Sequence, residues 1–330
     1  MLLTYLITVW IGSNIVLHPK RRPLEERHIL VRENPADYGL TLERFEAPTR
    51  DGLQLKGFLV HPASQYGEAA RTRRMLSRLQ NAGIERSKGL RGTVILLHGR
   101  GGIKDNMLTI AQRFVAADFR CIVYDARAHA ESEGKICTYG KKERYDLSSV
   151  LDFVEVELGR RGEQLGPAFA FGNSLGAAVS LQSIPQETRI IGGVMVAPFA
   201  DFREEIIHAI GNATSGRLPR FVRASIFQVA CWRGGIDPLD IRPEHSAKSL
   251  RIPIFLVHGE RDQVIPIAHA RRIFENLSGN YHQWKEIPGA YHRNVLAEGG
   301  DDLYEEMILF YLYCIARNAG AQTTPEWYSG

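Results

Sequence analysis

Cysteine is scarce and scattered in this chain of 330 residues. Cys121, Cys137, Cys231 and Cys314 stand far apart and form no C-x-x-C pair, which argues against a zinc site and gives no sign of a disulfide framework. Cys121 and Cys314 lie in apolar stretches, as buried thiols do. A reducing compartment is compatible with this usage. No H-x-x-x-H pair or carboxylate cluster suggests a metal, and no cofactor is implied. The glycine-rich run Gly99-Arg100-Gly101-Gly102 lacks the Lys-Ser/Thr that a phosphate loop carries next, which argues against nucleotide binding. An excess of one charge is missing too. Lys plus Arg number 41 against 37 Asp plus Glu, and the formal net charge of +4 singles out no partner, nucleic acid included. There is no internal repeat and no low-complexity linker. The length fits one large α/β domain with additions, or two small ones.

The N-terminus lacks charge. Leu2 to Leu17 carries none, and His18-Pro19-Lys20-Arg21-Arg22 follows. The basic start and small-residue cleavage site of a secretory signal are absent. The run is slightly short for about 30 Å of hydrocarbon. With the basic cluster on its C-terminal side, residues 1–22 are expected to form a membrane anchor, as a transmembrane helix or a membrane-associated one. The positive-inside rule then puts the bulk of the chain in the cytoplasm. The alternative is an apolar helix packed on the domain surface. In either case the segment is expected to decide location and leave chemistry intact.

What is present is an alternation of apolar strands and helices. Leu42–Pro48 and Leu53–Pro62 read as strands joined by the hairpin signal Arg50-Asp51-Gly52. An arginine-rich stretch follows, with Met75, Leu76, Leu79 and Ile84 at helical spacing. It reads as a solvated amphipathic insertion, with an anionic membrane surface as the rival role for its arginines. Strands at Thr93–His98, Arg120–Asp125, Phe169–Phe171, Ile190–Val196, Ile252–His258 and Tyr281–Ile287 alternate with helices near 104–117, 141–158, 264–277 and 301–318. This pattern predicts a doubly wound, mostly parallel sheet. Residues 201–235 read as a less regular helical insertion. Its aromatics Phe202, Phe227 and Trp232, with Phe199 just before it, hint at an apolar pocket.

One strand runs into Gly172-Asn173-Ser174-Leu175-Gly176, a G-x-S-x-G turn that lifts a serine above a sheet at a helix N-terminus. A serine hydroxyl needs an adjacent base, and the base needs an orienting carboxylate. In open α/β sheets such groups collect after the strands. Asp262 follows one later strand and His292 another, giving the chain order Ser174, Asp262, His292. Asp262 has a second reading as a helix cap, and Asp201 is the substitute acid. His282 and His269 rival His292, but lie within a strand and a helix. His98 and His129 read as loop-packing residues.

With these segments together, the chain resembles the α/β-hydrolase superfamily over roughly 42–318. Gly172–Gly176 resembles its elbow, Leu97-His98-Gly99-Arg100 its oxyanion loop, His258–Pro266 its acid loop and Gly289-Ala290-Tyr291-His292 its histidine loop. Tyr124–Gly134 is similar to its D-x-R-G-H-G-x-S-x-G segment, with Ala128 and Ala130 in place of two glycines. The likeness extends to prokaryotic esterases and serine-aminopeptidase-like hydrolases with an apolar N-terminus. It implies an α/β-hydrolase domain over 23–330, with a basic helical insertion at about 67–91 and a cap at about 201–235. It further implies Ser174 as nucleophile, His292 as base, Asp262 as its partner, and an oxyanion hole from the backbone N–H groups of Arg100 and Leu175. The implied activity is serine-dependent hydrolysis of a carboxylic ester. A peptidase or amidase and a thioesterase are alternatives on the same triad, and a non-catalytic binding protein is the remaining one.

Overall fold

The computed structural model describes residues 1–64 and 70–320. Residues 65–69, which include the start of the expected basic insertion, lie outside the described residues. An eight-stranded sheet runs through the molecule in the order β1-β2-β4-β3-β5-β6-β7-β8. β1 (Leu40–Pro48) and β2 (Gln54–Pro62) form the hairpin, and β2 pairs antiparallel with β4 (Phe119–Tyr124). β3 (Gly92–Leu97), β4, β5 (Ala168–Asn173), β6 (Ile190–Val196), β7 (Ile254–Gly259) and β8 (Gln283–Ile287) pair in parallel. The expected doubly wound sheet is present.

Continuous apolar runs are what a sheet covered on both faces requires, because alternate side chains point to opposite sides. In β3, Ile95 and Leu97 enter one core while Val94 and Leu96 enter the other. In β5, Ala168 and Ala170 face the first core, and Phe169 and Phe171 the second. Helices α5 (Glu143–Arg160) and α6 (Leu175–Ser183) contribute to the first core. Helices α4 (Lys104–Ala116) and α11 (Val295–Asn318) contribute to the second. α11 is broken by a non-helical Gly300, so its long closing stretch begins at Asp301.

The insertion contains α3 (Ala70–Asn81), which buries Thr72, Met75 and Leu79. Two of its arginines are occupied by acids of α11: Arg74 with Asp301 at 3.0 Å, and Arg78 with Glu305 at 2.7 Å and Asp302 at 2.5 Å. The cap stretch holds α7 (Phe202–Ala213) and α8 (Arg220–Gly234). Its Phe202 and Phe227 pack into the core, while Trp232 lines an apolar surface groove with Trp10. Phe199, Phe202 and Phe227 are fully buried, with Phe202 between Tyr139 at 4.6 Å and Phe227 at 5.4 Å between ring centroids. Trp232 is largely exposed.

The transmembrane helix expected at the N-terminus is corrected. Among the described residues, no helix is long and apolar enough to cross a membrane. α1 (Leu2–Leu17) has 16 residues, about 24 Å at 1.5 Å per residue, against about 30 Å of hydrocarbon. One of its faces is taken by α8. Tyr5 OH donates to Ser225 Oγ at 2.7 Å, and Arg233 donates to Ser13 Oγ at 2.6 Å and Asn14 Oδ1 at 2.7 Å while stacking over Trp10. Two short elements escaped the sequence reading: α2 (Glu26–Glu33) and α9 (Pro243–Ala247). α2 is mostly polar, and α9 spans only a single turn.

Behind the sheet's C-terminal edge, the 125–134 loop is held by buried charge. Asp125 accepts from the Lys104 backbone N–H and Nζ, each at 2.6 Å. Arg127 bridges Asp146 and Asp51. Ala128 has φ 64° and Ala130 φ 35°, so both alanines adopt the conformation the family's usual glycines allow. A non-glycine residue there costs about 1–2 kcal/mol, offset against the roughly 0.5–1 kcal/mol of extra chain entropy a glycine loses. Ala130→Gly is therefore expected to stabilise the protein by up to about 1 kcal/mol, measured by urea unfolding. A lowered midpoint would show that the loop's hydrogen bonds, rather than the left-handed backbone, set its cost.

Candidate active site

The site begins with a backbone constraint. Ser174 sits between β5 and α6 at φ 54° and ψ −115°, outside the ordinary regions for an L-residue. Its neighbours explain why glycines flank it. A Cβ on Gly172 would lie 2.4 Å from Ala177 Cα, and one on Gly176 would lie 2.2 Å from the Leu97 carbonyl oxygen. The first turn of α6 is thus pressed onto the end of β3. The loop leaving β3 consequently passes Ser174: a Cβ on Gly99 would come within 3.3 Å of Ser174 Cβ. Arg100 follows Gly99 in that loop and lines the same cavity as Ser174, and α6 begins at Leu175 directly after the serine. Helix N-termini carry unpaired N–H groups suited to an anion.

His292 follows β8 and Asp262 follows β7, and the sheet brings both to Ser174. Ser174 Oγ lies 3.0 Å from His292 Nε2, and His292 Nδ1 lies 2.7 Å from Asp262 Oδ2. Asp262 also caps its own turn, its Oδ1 accepting from the backbone N–H groups of Val264 and Ile265 at 2.9 Å each. The cap and the histidine partner are therefore one residue. Burial alone would raise the Asp262 pKa. The hydrogen bonds from His258 and His292, with the backbone N–H groups, outweigh it and hold the carboxyl well below the usual carboxylate range.

The other candidates have structural partners. Asp201 caps α7, its Oδ1 accepting from Glu204 N at 3.0 Å, and pairs with Arg242. His269 Nδ1 accepts from the Ala200 backbone N–H at 3.2 Å, and burial pulls its pKa down to about 4. His282 Nδ1 accepts from Ile254 N at 3.2 Å. His98 ties the loop after β3 to the 125–134 loop, with Nε2 accepting from Ala126 N at 3.0 Å and Nδ1 donating to Gly99 O at 2.8 Å. His129 packs edge-on against it, with ring centroids 5.0 Å apart. Among the described residues, no group of three or more His, Cys, Asp or Glu side chains could hold a metal ion.

Ser174 and His292 open into a cavity of about 700 Å³. α7 lines it with Ile206, Ala209, Ile210 and Ala213, one stripe of the helix. Arg100, Tyr139, Met107, Val264 and Glu205 line it as well, as do Ile15 and Val16 from the end of α1. The sequence reading missed several of these residues. The α7 stripe was legible as periodicity, but nothing local marks Glu205, Tyr139 or the end of α1 as neighbours of Ser174.

The whole arrangement matches a known family. Residues 88–231 and 241–298 fit the family described as serine aminopeptidase, S33. The chain belongs to this α/β-hydrolase family. It is 26% identical over 190 residues to the uncharacterised protein YqkD of Bacillus subtilis, covering 57% of this chain and 60% of YqkD. It is 24% identical over 236 residues to a monoacylglycerol lipase of Mycolicibacterium smegmatis, covering 61% of this chain and 81% of the lipase. An esterase of Pyrococcus furiosus shares the fold at TM-score 0.64 and 19% identity, over 90% of this chain and 97% of the esterase. That family is one of hydrolases.

Glu205 is the unusual group in the cavity. It is buried, and its Oε2 has no hydrogen-bond partner among the described residues. Burial, then the charge of Asp262, push its pKa up to about 8 against the pull of Arg100. In the unfolded chain the carboxyl returns to about 4.5. Between these values the native state holds the extra proton, so stability falls as pH rises through that window. Glu205→Gln removes the linkage. Thermal unfolding should show the variant gaining on the wild type as pH rises from about 4.5 to about 8. A constant difference across that range would mean that Glu205 titrates normally.

Proposed function

We propose that the protein is a serine hydrolase that cleaves carboxylic esters with an apolar acyl part through an acyl-serine intermediate. The observation that carries this reading is the unbroken relay from Ser174 Oγ to His292 at 3.0 Å and on to Asp262 at 2.7 Å, opening into a cavity that the α7 stripe of Ile206, Ala209, Ile210 and Ala213 walls on one side. Ser174 Oγ attacks the ester carbonyl carbon as His292 Nε2 takes its proton. Asp262 keeps Nδ1 protonated and stabilises the imidazolium. The carbonyl oxygen, now an oxyanion, meets the N–H groups of Leu175 and Arg100. The C–O bond to the alcohol breaks, and His292 gives its proton to the departing oxygen. Water then attacks the acyl-serine by the same route, releasing the acid and restoring Ser174. The α7 stripe with Ile15 and Met107 offers the acyl part an apolar wall.

Amide cleavage is the second reading. The family's description and Glu205 favour it, since a carboxyl in the cavity could accept from a substrate amine. Binding an ammonium there would require Glu205 to give up its proton first, which weighs toward esters at neutral pH.

Ser174→Ala and His292→Ala are each expected to lower kcat for p-nitrophenyl esters by at least about 10³-fold while leaving thermal unfolding nearly unchanged, because triad members act as a unit. Fluorophosphonate should label the wild type and not Ser174→Ala. Normal turnover by Ser174→Ala would end this mechanism. A panel of p-nitrophenyl esters against aminoacyl anilides separates the two readings. Faster anilide cleavage, reduced selectively in Glu205→Gln, would favour the amide.

A further inference from the structure

The end of α1 is built into the site. A helix leaves its last four carbonyls without partners inside the helix, and here all four are taken. Asn14 O accepts from His18 N at 2.9 Å. Ile15 O accepts from the Arg100 guanidinium, and Val16 O accepts from it at 3.1 Å. Val16 O also accepts from Tyr139 OH at 2.7 Å, and Leu17 O accepts from Cys137 N at 2.9 Å. A fixed cation at a helix C-terminus also complements the helix dipole. Arg100 follows Gly99, where a Cβ would come within 3.3 Å of Ser174 Cβ, and it lines the cavity together with Ile15 and Val16. α1 in turn is seated on α8, where the Tyr5–Ser225 and Arg233 bonds and the close approach of Gly12 to Ile226 hold it in place.

We propose that α1 is a working part of the active site rather than a detachable leader. Its C-terminal carbonyls grip the Arg100 side chain and so position the Arg100 peptide N–H for the oxyanion, and Ile15 walls the acyl side of the cavity. Arg100 is a positioning residue: its guanidinium faces α1, and its backbone faces the chemistry. This rests on the acyl-serine reading above. Two consequences follow from the division of labour. Loss of the guanidinium slackens the loop in the transition state and leaves substrate binding intact. A change of bulk at Ile15 alters which acyl chains fit and leaves the oxyanion donors intact.

The test uses the full chain with p-nitrophenyl esters of short and long acyl chains. Arg100→Ala keeps the peptide N–H and should lower kcat by about 10–100-fold, less than outright loss of an oxyanion donor, with KM changed by less than about threefold. Arg100→Lys keeps a cation that can reach one carbonyl at a time and should recover part of kcat. Ile15 is 64% exposed, so its replacement should leave the fold intact; Ile15→Trp should shift the kcat/KM ratio toward short chains and Ile15→Ala toward long ones. Unchanged kcat in Arg100→Ala, or a loss confined to KM, would overturn the positioning role. If Arg100→Ala does not fold, the Ile15 pair decides, and an unaltered chain-length ratio in both variants overturns the proposal. Fluorophosphonate labelling of wild-type Ser174 separates the two levels. Labelling with no effect of these variants removes α1 from the site and leaves the nucleophile standing. No labelling removes the acyl-serine reading beneath both.

Discussion

The contact between Gly176 and the Leu97 carbonyl is the constraint on which the site depends. A methyl group there would sit 2.2 Å from a backbone oxygen, so only glycine lets α6 start against the end of β3. That approach accompanies the strained positive-φ conformation of Ser174, with the start of α6 directly after the serine. It also brings the loop leaving β3 alongside. Ser174 and the loop after β3 are thus placed by one steric fact.

Around this contact, buried polar groups fix loops that a hydrophobic core alone would leave loose. His98 bonds Gly99 and Ala126, tying the loop after β3 to the loop after β4. Asp125 with Lys104, and Arg127 with Asp146, anchor that second loop from behind. Removing one partner of such a buried pair strands a charge in a poorly solvated place, which destabilises far more than a surface pair would. Asp262 shows the same economy at the site: one oxygen closes its own turn, and the other orients His292. Glu205 is the exception. It brings a carboxyl into the cavity with an oxygen unpartnered among the described residues, and burial, with the charge of Asp262, pushes its pKa up to about 8.

The strands were legible because burial on both sides leaves an unmistakable run such as Val94–Leu97, and G-x-S-x-G is legible because the turn's sterics admit few sequences. Asp262 and His292 could be named because residues after the strands of a parallel sheet share one edge. Boundaries were less visible. Val295 begins a helix before the Gly300 break, and α10 starts at Ala268 rather than Val264, because Asp262 turns the intervening backbone first. The aromatics of the cap could be read as packing or as pocket walls, and Phe202 and Phe227 stack into the core. Aromaticity does not reveal which face of a helix looks inward.

Local chemistry therefore determined the sheet, the elbow and the chain order of Ser174, Asp262 and His292, since each rests on short-range sterics or on hydrophobic periodicity. Tertiary structure alone decided what surrounds them. An uncharged, apolar N-terminal run has the same composition whether it enters a bilayer or packs on protein. What ties this run to the protein is a guanidinium 85 residues away, at Arg100, bonded to the carbonyl of Ile15. Backbone carbonyls carry no signature in sequence, so neither their partners nor the cavity they help to close could be read before the chain was folded.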